Sequence, residues 1–170
     1  SIVLPATVPE ALPTMADALA VTRSQTGSTN QDMIFDFLTG VMGLNSAGAA
    51  GIVANIYFES GFQSDIYGDA GTSYGICQWH NGRFTNLRDW CGANGYDYTT
   101  LEGQLHFLHH ELQVSYPNVW NQVNSVPETA QGAYDAAYYW CKYFEVPADT
   151  ENKARQRGQH AMDVYWPQYA

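Results

Sequence analysis

Glu59 sits between Phe58 and the run Ser60-Gly61-Phe62, and two more acids, Asp65 and Asp69, follow in a polar loop. A carboxylic acid beside aromatic side chains, with other carboxylates a short loop away, is the equipment of a glycosidase. One carboxyl protonates the leaving oxygen, so it must arrive carrying its proton. Glu59 falls at the end of a predicted helix, where the helix dipole disfavours negative charge, and Phe58 and Phe62 are placed to exclude water. In an inverting enzyme a second carboxylate activates water across the sugar, with the carboxyls about 6.5–9.5 Å apart. A ten-residue return from Glu59 suits Asp69 to that role. Gly68-Asp69-Ala70-Gly71 is equally a good turn sequence, so Asp69 has a catalytic and a turn-forming reading. Asp65 is the other candidate.

Downstream lies Thr72-Ser-Tyr-Gly-Ile-Cys-Gln-Trp79. Gln78 can hydrogen-bond an acetamido or hydroxyl group, or orient Glu59. Tyr74 and Trp79 are candidates to stack on a sugar face, as aromatics with one polar edge do; the alternative is a core strand with a buried Trp. Gly75 would allow close approach of a ligand or a neighbouring helix. Near the C-terminus, Tyr139 and Tyr143 stand at i and i+4 and are expected to line a groove. Glu145 is either a second acid brought in from afar or a partner of Lys153 or Arg155.

Three other constellations carry less. Cys77 with His80 suggests a thiol nucleophile and its base, but residues three apart do not share a strand face, and a lone Cys is commonly a small buried hydrophobe. His106 and His110 share a helical face with Glu111 nearby, yet no HExxH motif is formed. No metal site is expected, and no cofactor. GDAGTS (Gly68–Ser73) is not followed by GK[ST], so it is not a phosphate loop.

Composition narrows the classes. The 170 residues suit one domain. Charged residues make up 14%, against about 25% in typical proteins, and aromatics are plentiful, with twelve Tyr, seven Phe and five Trp. The formal net charge of −10 argues against nucleic-acid binding, which needs a cationic face. It also argues against electrostatic capture by an anionic surface. Three Cys, with no CxxC pair, exclude a zinc ribbon and leave at least one unpaired within the chain. No apolar run approaches the ~18 residues of a membrane span, and no signal peptide is recognised.

The elements that must position these residues are mostly helical. Residues 1–27 read as a leader or linker broken by Pro5, Pro9 and Pro13, with a short helix at Met15–Thr22. Residues 28–170 form the domain. Met33, Ile34, Phe37, Leu38, Val41 and Met42 recur at helical spacing behind Ser28 or Thr29 as N-cap, and Gly43 ends the run. Ser46 caps the next helix, whose buried stripe is Ile52, Val53, Ile56 and Tyr57. Gly48 and Gly51 permit close approach within it, and Gly61 stops it. Helices are predicted at 82–93, 100–112, 117–125, 127–144 and 150–165, with Pro127 and Glu128 in a first turn. Several short helices around a cleft, with a minimal β-hairpin near Tyr74–Trp79, define a mainly α, or α+β, fold.

Glu59-Ser-Gly-Phe62, Gly71-Thr-Ser-Tyr-Gly-Ile-Cys-Gln-Trp79 and Phe144-Glu-Val-Pro147 together resemble motifs of the phage tail lysozyme family. That family is a branch of the lysozyme-like superfamily, with goose-type lysozymes and lytic transglycosylases. The resemblance covers roughly residues 29–169. It implies a lysozyme-like fold and a muramidase that cleaves peptidoglycan between N-acetylmuramic acid and N-acetylglucosamine. It carries Glu59 over as general acid, with Asp69 and Gln78 beside it. It implies an extracellular or virion-associated protein, delivered in a larger tail or secreted assembly. Related transglycosylases work with one Glu, so hydrolysis and the anhydro-forming reaction both stay open. The competing classes are a non-catalytic glycan-binding domain on the same fold and a Cys77-dependent amidase or peptidase.

Overall fold

The computed structural model describes residues 27–170. The predicted helix at Met15–Thr22 and nearly all of the predicted leader lie outside the described residues. The chain divides after Met33. Before that point the described residues form the first turns of α1 (Gly27–Asp36); all other elements belong to Ile34–Ala170. Ser28 and Thr29 lie within the first turn of α1 instead of capping it.

α1 runs into a π-helical turn at Phe37–Val41 and is followed by α2 (Ser46–Ser60). Ile34, Leu38 and Met42 are buried, whereas Met33 and Val41 are exposed, so the apolar stripe is narrower than the spacing suggests. α2 is the central helix. Every residue from Ala47 to Ile56 is buried, as expected for a helix apolar nearly all round. Its N-cap is Asn45, whose side chain accepts from Gly48 N, and not Ser46. Tyr57 is exposed, so the buried stripe ends at Ile56. Gly61 stops the helix in the left-handed conformation, at φ 59°.

α2 packs closely on α6 (Ala130–Trp140). A Cβ on Gly51 would lie 2.5 Å from Ala137 N, so only glycine permits this approach. Asn55, fully buried, donates to Ala137 O at 3.0 Å and joins the two helices. Full burial of Ile52, Val53 and Ile56 contributes about 1.5–3 kcal/mol each.

Three two-residue strands follow α2: β1 (Tyr67–Gly68), β2 (Ser73–Tyr74) and β3 (Trp79–His80), antiparallel in that order. A 3₁₀ turn at Asp69–Gly71 joins the first two. The register pairs Gly68 with Ser73 and Ser73 with His80; it pairs Tyr67 with Tyr74 and Tyr74 with Trp79. Side chains directly opposite share a face and neighbours alternate. One face therefore presents Ser73 and His80, the other Tyr67, Tyr74 and Trp79. Gln104, fully buried, anchors the connecting turn: its Oε1 accepts from Ile76 N at 2.9 Å and its Nε2 donates to Ser64 O at 2.7 Å.

The remaining helices are α3 (Gly82–Asn94), α4 (Leu101–Val114), α5 (Pro117–Val123), α6, α7 (Thr150–His160) and α8 (Trp166–Tyr169). α6 starts after Pro127 and Glu128, because Thr129 is its N-cap and accepts from Gly132 N. α6 and α7 continue into π-helical turns at Cys141–Glu145 and Ala161–Tyr165. The fold is mainly α with a small three-stranded sheet. No helix among the described residues is long and apolar enough to cross a membrane.

Candidate active site

A cleft of about 460 Å³ brings together Glu59, Asp69, Gln78 and Glu145 from four separate stretches of chain. Ser73, His80, Lys153 and Arg157 also line it. Glu59 comes from the last turn of α2. The loop after it is held to the helix by Ser60, whose Oγ donates to Ile76 O at 2.8 Å.

Glu59 Oε2 accepts from Arg157 Nη1 at 2.7 Å, and the same nitrogen donates to Asn55 Oδ1 at 2.9 Å. Oε1 of Glu59 accepts no hydrogen bond among the described residues. Arg157, buried on α7, leaves its Nε without a partner. Phe58 lines the cleft and lies over the Arg157 guanidinium at 5.5 Å. Phe62 is turned into the core against Tyr165 instead.

Asp69 opens the 3₁₀ turn in left-handed backbone, at φ 51°. Its Oδ2 accepts from Ser73 Oγ at 2.6 Å, and that hydroxyl lies 3.0 Å from His80 Nδ1. Because Ser73 gives its proton to Asp69, His80 must donate from Nδ1 to complete the chain. Asn81 Nδ2 at 2.9 Å from His80 Nε2 agrees with that tautomer. The result is a relay, His80–Ser73–Asp69, built on one face of the sheet. Asp65 is not among the residues lining the cleft.

Gln78 also stands in left-handed backbone, at φ 52°. Its Nε2 donates to Ile66 O at 3.1 Å and Gly75 O at 2.9 Å. Both amide hydrogens therefore hold the cleft wall. Gly75 serves a neighbouring helix: a Cβ there would lie 2.7 Å from Gln104 Oε1 on α4.

Glu145 arrives at the end of the π-helical turn after α6, just before Val146 in left-handed backbone. Its Oε2 accepts from Trp140 Nε1 at 3.2 Å. Burial, and then the negative charge of Glu59, push its carboxyl well above the ordinary range, against the smaller opposing pulls of Arg83, Arg157 and Trp140. It pairs with neither Lys153 nor Arg155; Arg155 bonds Glu151 at 2.8 Å on its own helix.

Several expected contacts take another course. Tyr74 and Trp79 are buried, at 2% and 0% exposure, because the strand alternation turns them to the core. Trp79 Nε1 donates to Glu111 Oε1 at 2.9 Å, and Tyr74 stacks on Phe84. Neither lines the cleft. Tyr139 and Tyr143 line a separate groove of about 350 Å³ with Tyr116 and Asn118; they lie on a different side of their helix from Glu145. Cys77 is buried, and burial raises its thiol well above the ordinary value. His80 bonds Ser73 and Asn81, so no Cys77–His80 dyad forms. His106 and His110 stack on Tyr96 and Trp90, while Glu111 pairs with Arg83.

Arg157, Asn55 and Ser73 bond the cleft's carboxylates or their partners, and Glu111 bonds Arg83; the sequence did not single these contacts out. A mainly α domain with a small sheet and a cleft lined by Glu59, Asp69 and Glu145 carries the equipment of a lysozyme-like glycoside hydrolase. The family profile for phage tail lysozyme matches residues 29–166. The chain belongs to that family. No curated protein sequence matches it.

Proposed function

We propose that the protein is a muramidase that cleaves peptidoglycan between N-acetylmuramic acid and N-acetylglucosamine, acting at the wall as part of a phage tail. The observation that supports this most is the single cleft shared by Glu59, Asp69 and Glu145. In this reading Glu59 is the general acid. Oε2 is steadied by Arg157, and the unbonded Oε1 gives a proton to the glycosidic oxygen as the bond to the anomeric carbon breaks. Asp69, oriented by Ser73, takes a proton from the water that attacks that carbon. Gln78 holds the wall of the cleft by its bonds to Ile66 and Gly75. The buried Cys77 thiol takes no part.

The test is mass spectrometry of purified walls digested by the wild-type protein and by Glu59→Gln. Muropeptides with new reducing ends are expected, and a loss of about 10³-fold or more in Glu59→Gln protein that remains folded. Muropeptides ending in 1,6-anhydro sugars would make the reaction a transglycosylation. Free amino groups without new sugar ends, or full activity in folded Glu59→Gln, would overturn the proposal.

A further inference from the structure

Glu145 is the half-buried acid that this mechanism leaves without a task. Its surroundings can be counted group by group. Glu59 reaches the cleft from α2, Asp69 and His80 from the sheet region, and Lys153 and Arg157 from α7. Arg83 and Glu111 lie behind it on α3 and α4, and Trp140 beneath it on α6. Each nearby guanidinium is committed elsewhere. Arg83 bonds both oxygens of Glu111 and the carbonyl of Phe144. Arg157 bonds Glu59 and Asn55. Among the described residues Glu145 enters no ion pair; its bond is the neutral one from Trp140.

Besides Asp69, the cleft thus holds two carboxyl groups, Glu59 and Glu145; of its two cations, Arg157 sits on Glu59, and Lys153 forms no ion pair with Glu145. Two neighbouring carboxylates, one of them bonded to a guanidinium, retain one proton, and it settles on the other. We infer that Glu59 and Glu145 work as one acid pair, in which Glu145 holds the proton in the free cleft and supplies it to Glu59 for delivery to the sugar. The step balances. Glu145 passes a proton to the Glu59 carboxylate and becomes the anion; Glu59 passes it to the leaving oxygen; the proton lost by the attacking water returns to the pair through Asp69 and solvent. Glu145 acts through Glu59 and does not touch substrate, so it is a positioning and proton-holding residue. The delivery step rests on the proposed role of Glu59; the location of the proton does not.

Two measurements on the whole chain separate these parts. The first is a ¹³C NMR titration of the Glu side-chain carboxyls. One carboxyl is expected to titrate well above the others. It should vanish in Glu145→Gln, and it should move down in Glu59→Gln, where the like charge is gone. The second is the pH profile of wall cleavage. In Glu145→Gln, Trp140 can still donate to the amide oxygen. The alkaline limb should move to lower pH, and kcat at pH 7 should fall about 10²-fold with KM within about twofold. A Glu145 carboxyl that titrates with the other Glu groups overturns the pair. An unchanged kcat and alkaline limb in Glu145→Gln overturn the supply role. If the wild-type protein leaves walls intact, the muramidase proposal falls, and the titration still decides where the proton sits.

Discussion

Two guanidinium–carboxylate pairs stand on either side of Glu145, and they are built differently. In Arg83–Glu111 all three guanidinium nitrogens and both carboxylate oxygens are bonded. Glu111 accepts from Arg83 Nε at 2.8 Å, Arg83 Nη2 at 2.9 Å and Trp79 Nε1 at 2.9 Å. Arg83 Nη1 donates to Phe144 O, and the rings of Tyr116 and Phe144 cover the guanidinium. Burial works against the Arg83 charge, and the bonds to Glu111 outweigh it, so the guanidinium is held in its charged form. That pair joins α3, α4, β3 and the end of α6. In Arg157–Glu59 one nitrogen serves two acceptors, Glu59 Oε1 is unbonded and Arg157 Nε has no partner. The same two residue types thus make a closed structural joint in one place and an unsaturated site in the other. Saturation of hydrogen bonds, more than the presence of the ion pair, separates architecture from chemistry here.

The contrast is sharpest in stability. Glu111→Gln leaves Arg83, whose side chain is 25% exposed, without its counter-charge and should cost about 3 kcal/mol, a fall in Tm on the order of 10 °C for a domain of this size. In Glu59→Gln the amide oxygen can still accept the single bond from Arg157 Nη1, so Tm should fall by less than half of that while activity is lost. Equal falls in Tm, measured by calorimetry, would erase the distinction between the two pairs.

Next in size is Asp69→Asn. Asn tolerates the left-handed turn at this position, so the fold should hold. Turnover of walls should fall about 10²-fold, because the amide cannot accept the water's proton. Near-normal turnover with reducing-end products would reduce Asp69 to a turn residue.

A smaller effect is expected in the pH dependence of stability. The folded carboxyl of Glu145 is raised above its ordinary value of 4.5. Below that value both folded and unfolded chains hold the proton, and nothing is lost. As pH rises, the unfolded chain releases it first, so the contribution to stability declines until pH passes the folded value. Glu145→Gln lacks this decline. Its Tm relative to wild type should climb steadily above pH 4.5, and a constant difference would refute the raised carboxyl.

The smallest effect belongs to Cys77→Ala. It should cost roughly 1 kcal/mol in packing and leave cleavage within about twofold. Abolished cleavage in a folded Cys77→Ala protein would bring the thiol reading back.

Helix positions were legible because their signals are local: Gly61 as a stop and Thr150 opening α7. The Glu59, Asp69 and Gln78 part of the cleft was legible for the same reason, since twenty residues contain it. Arg157 was not, because it is 98 residues from Glu59 and nothing in its own helix announces that contact. Tyr74 and Trp79 misled because strands of two residues are too short to reveal which face is inward. Tyr139 and Tyr143 do line a groove, as their spacing suggests, but it is separate from the cleft that holds Glu59, because helical spacing does not say which side of α6 meets that cleft.

The π-helical turn at Cys141–Glu145 makes chain length in this segment a functional quantity. Such a turn admits an extra residue into a helix, and each residue of an α-helix advances the direction of the side chains by about 100°. Removal of one residue between Trp140 and Glu145 would restore an ordinary helix and swing the carboxyl out of the cleft by about that angle, with no change in composition around it. Segments that bring Glu145 to Glu59 should therefore accept substitutions at exposed Tyr143 far more readily than single-residue insertions or deletions, which alter the aim of the acid without touching its chemistry.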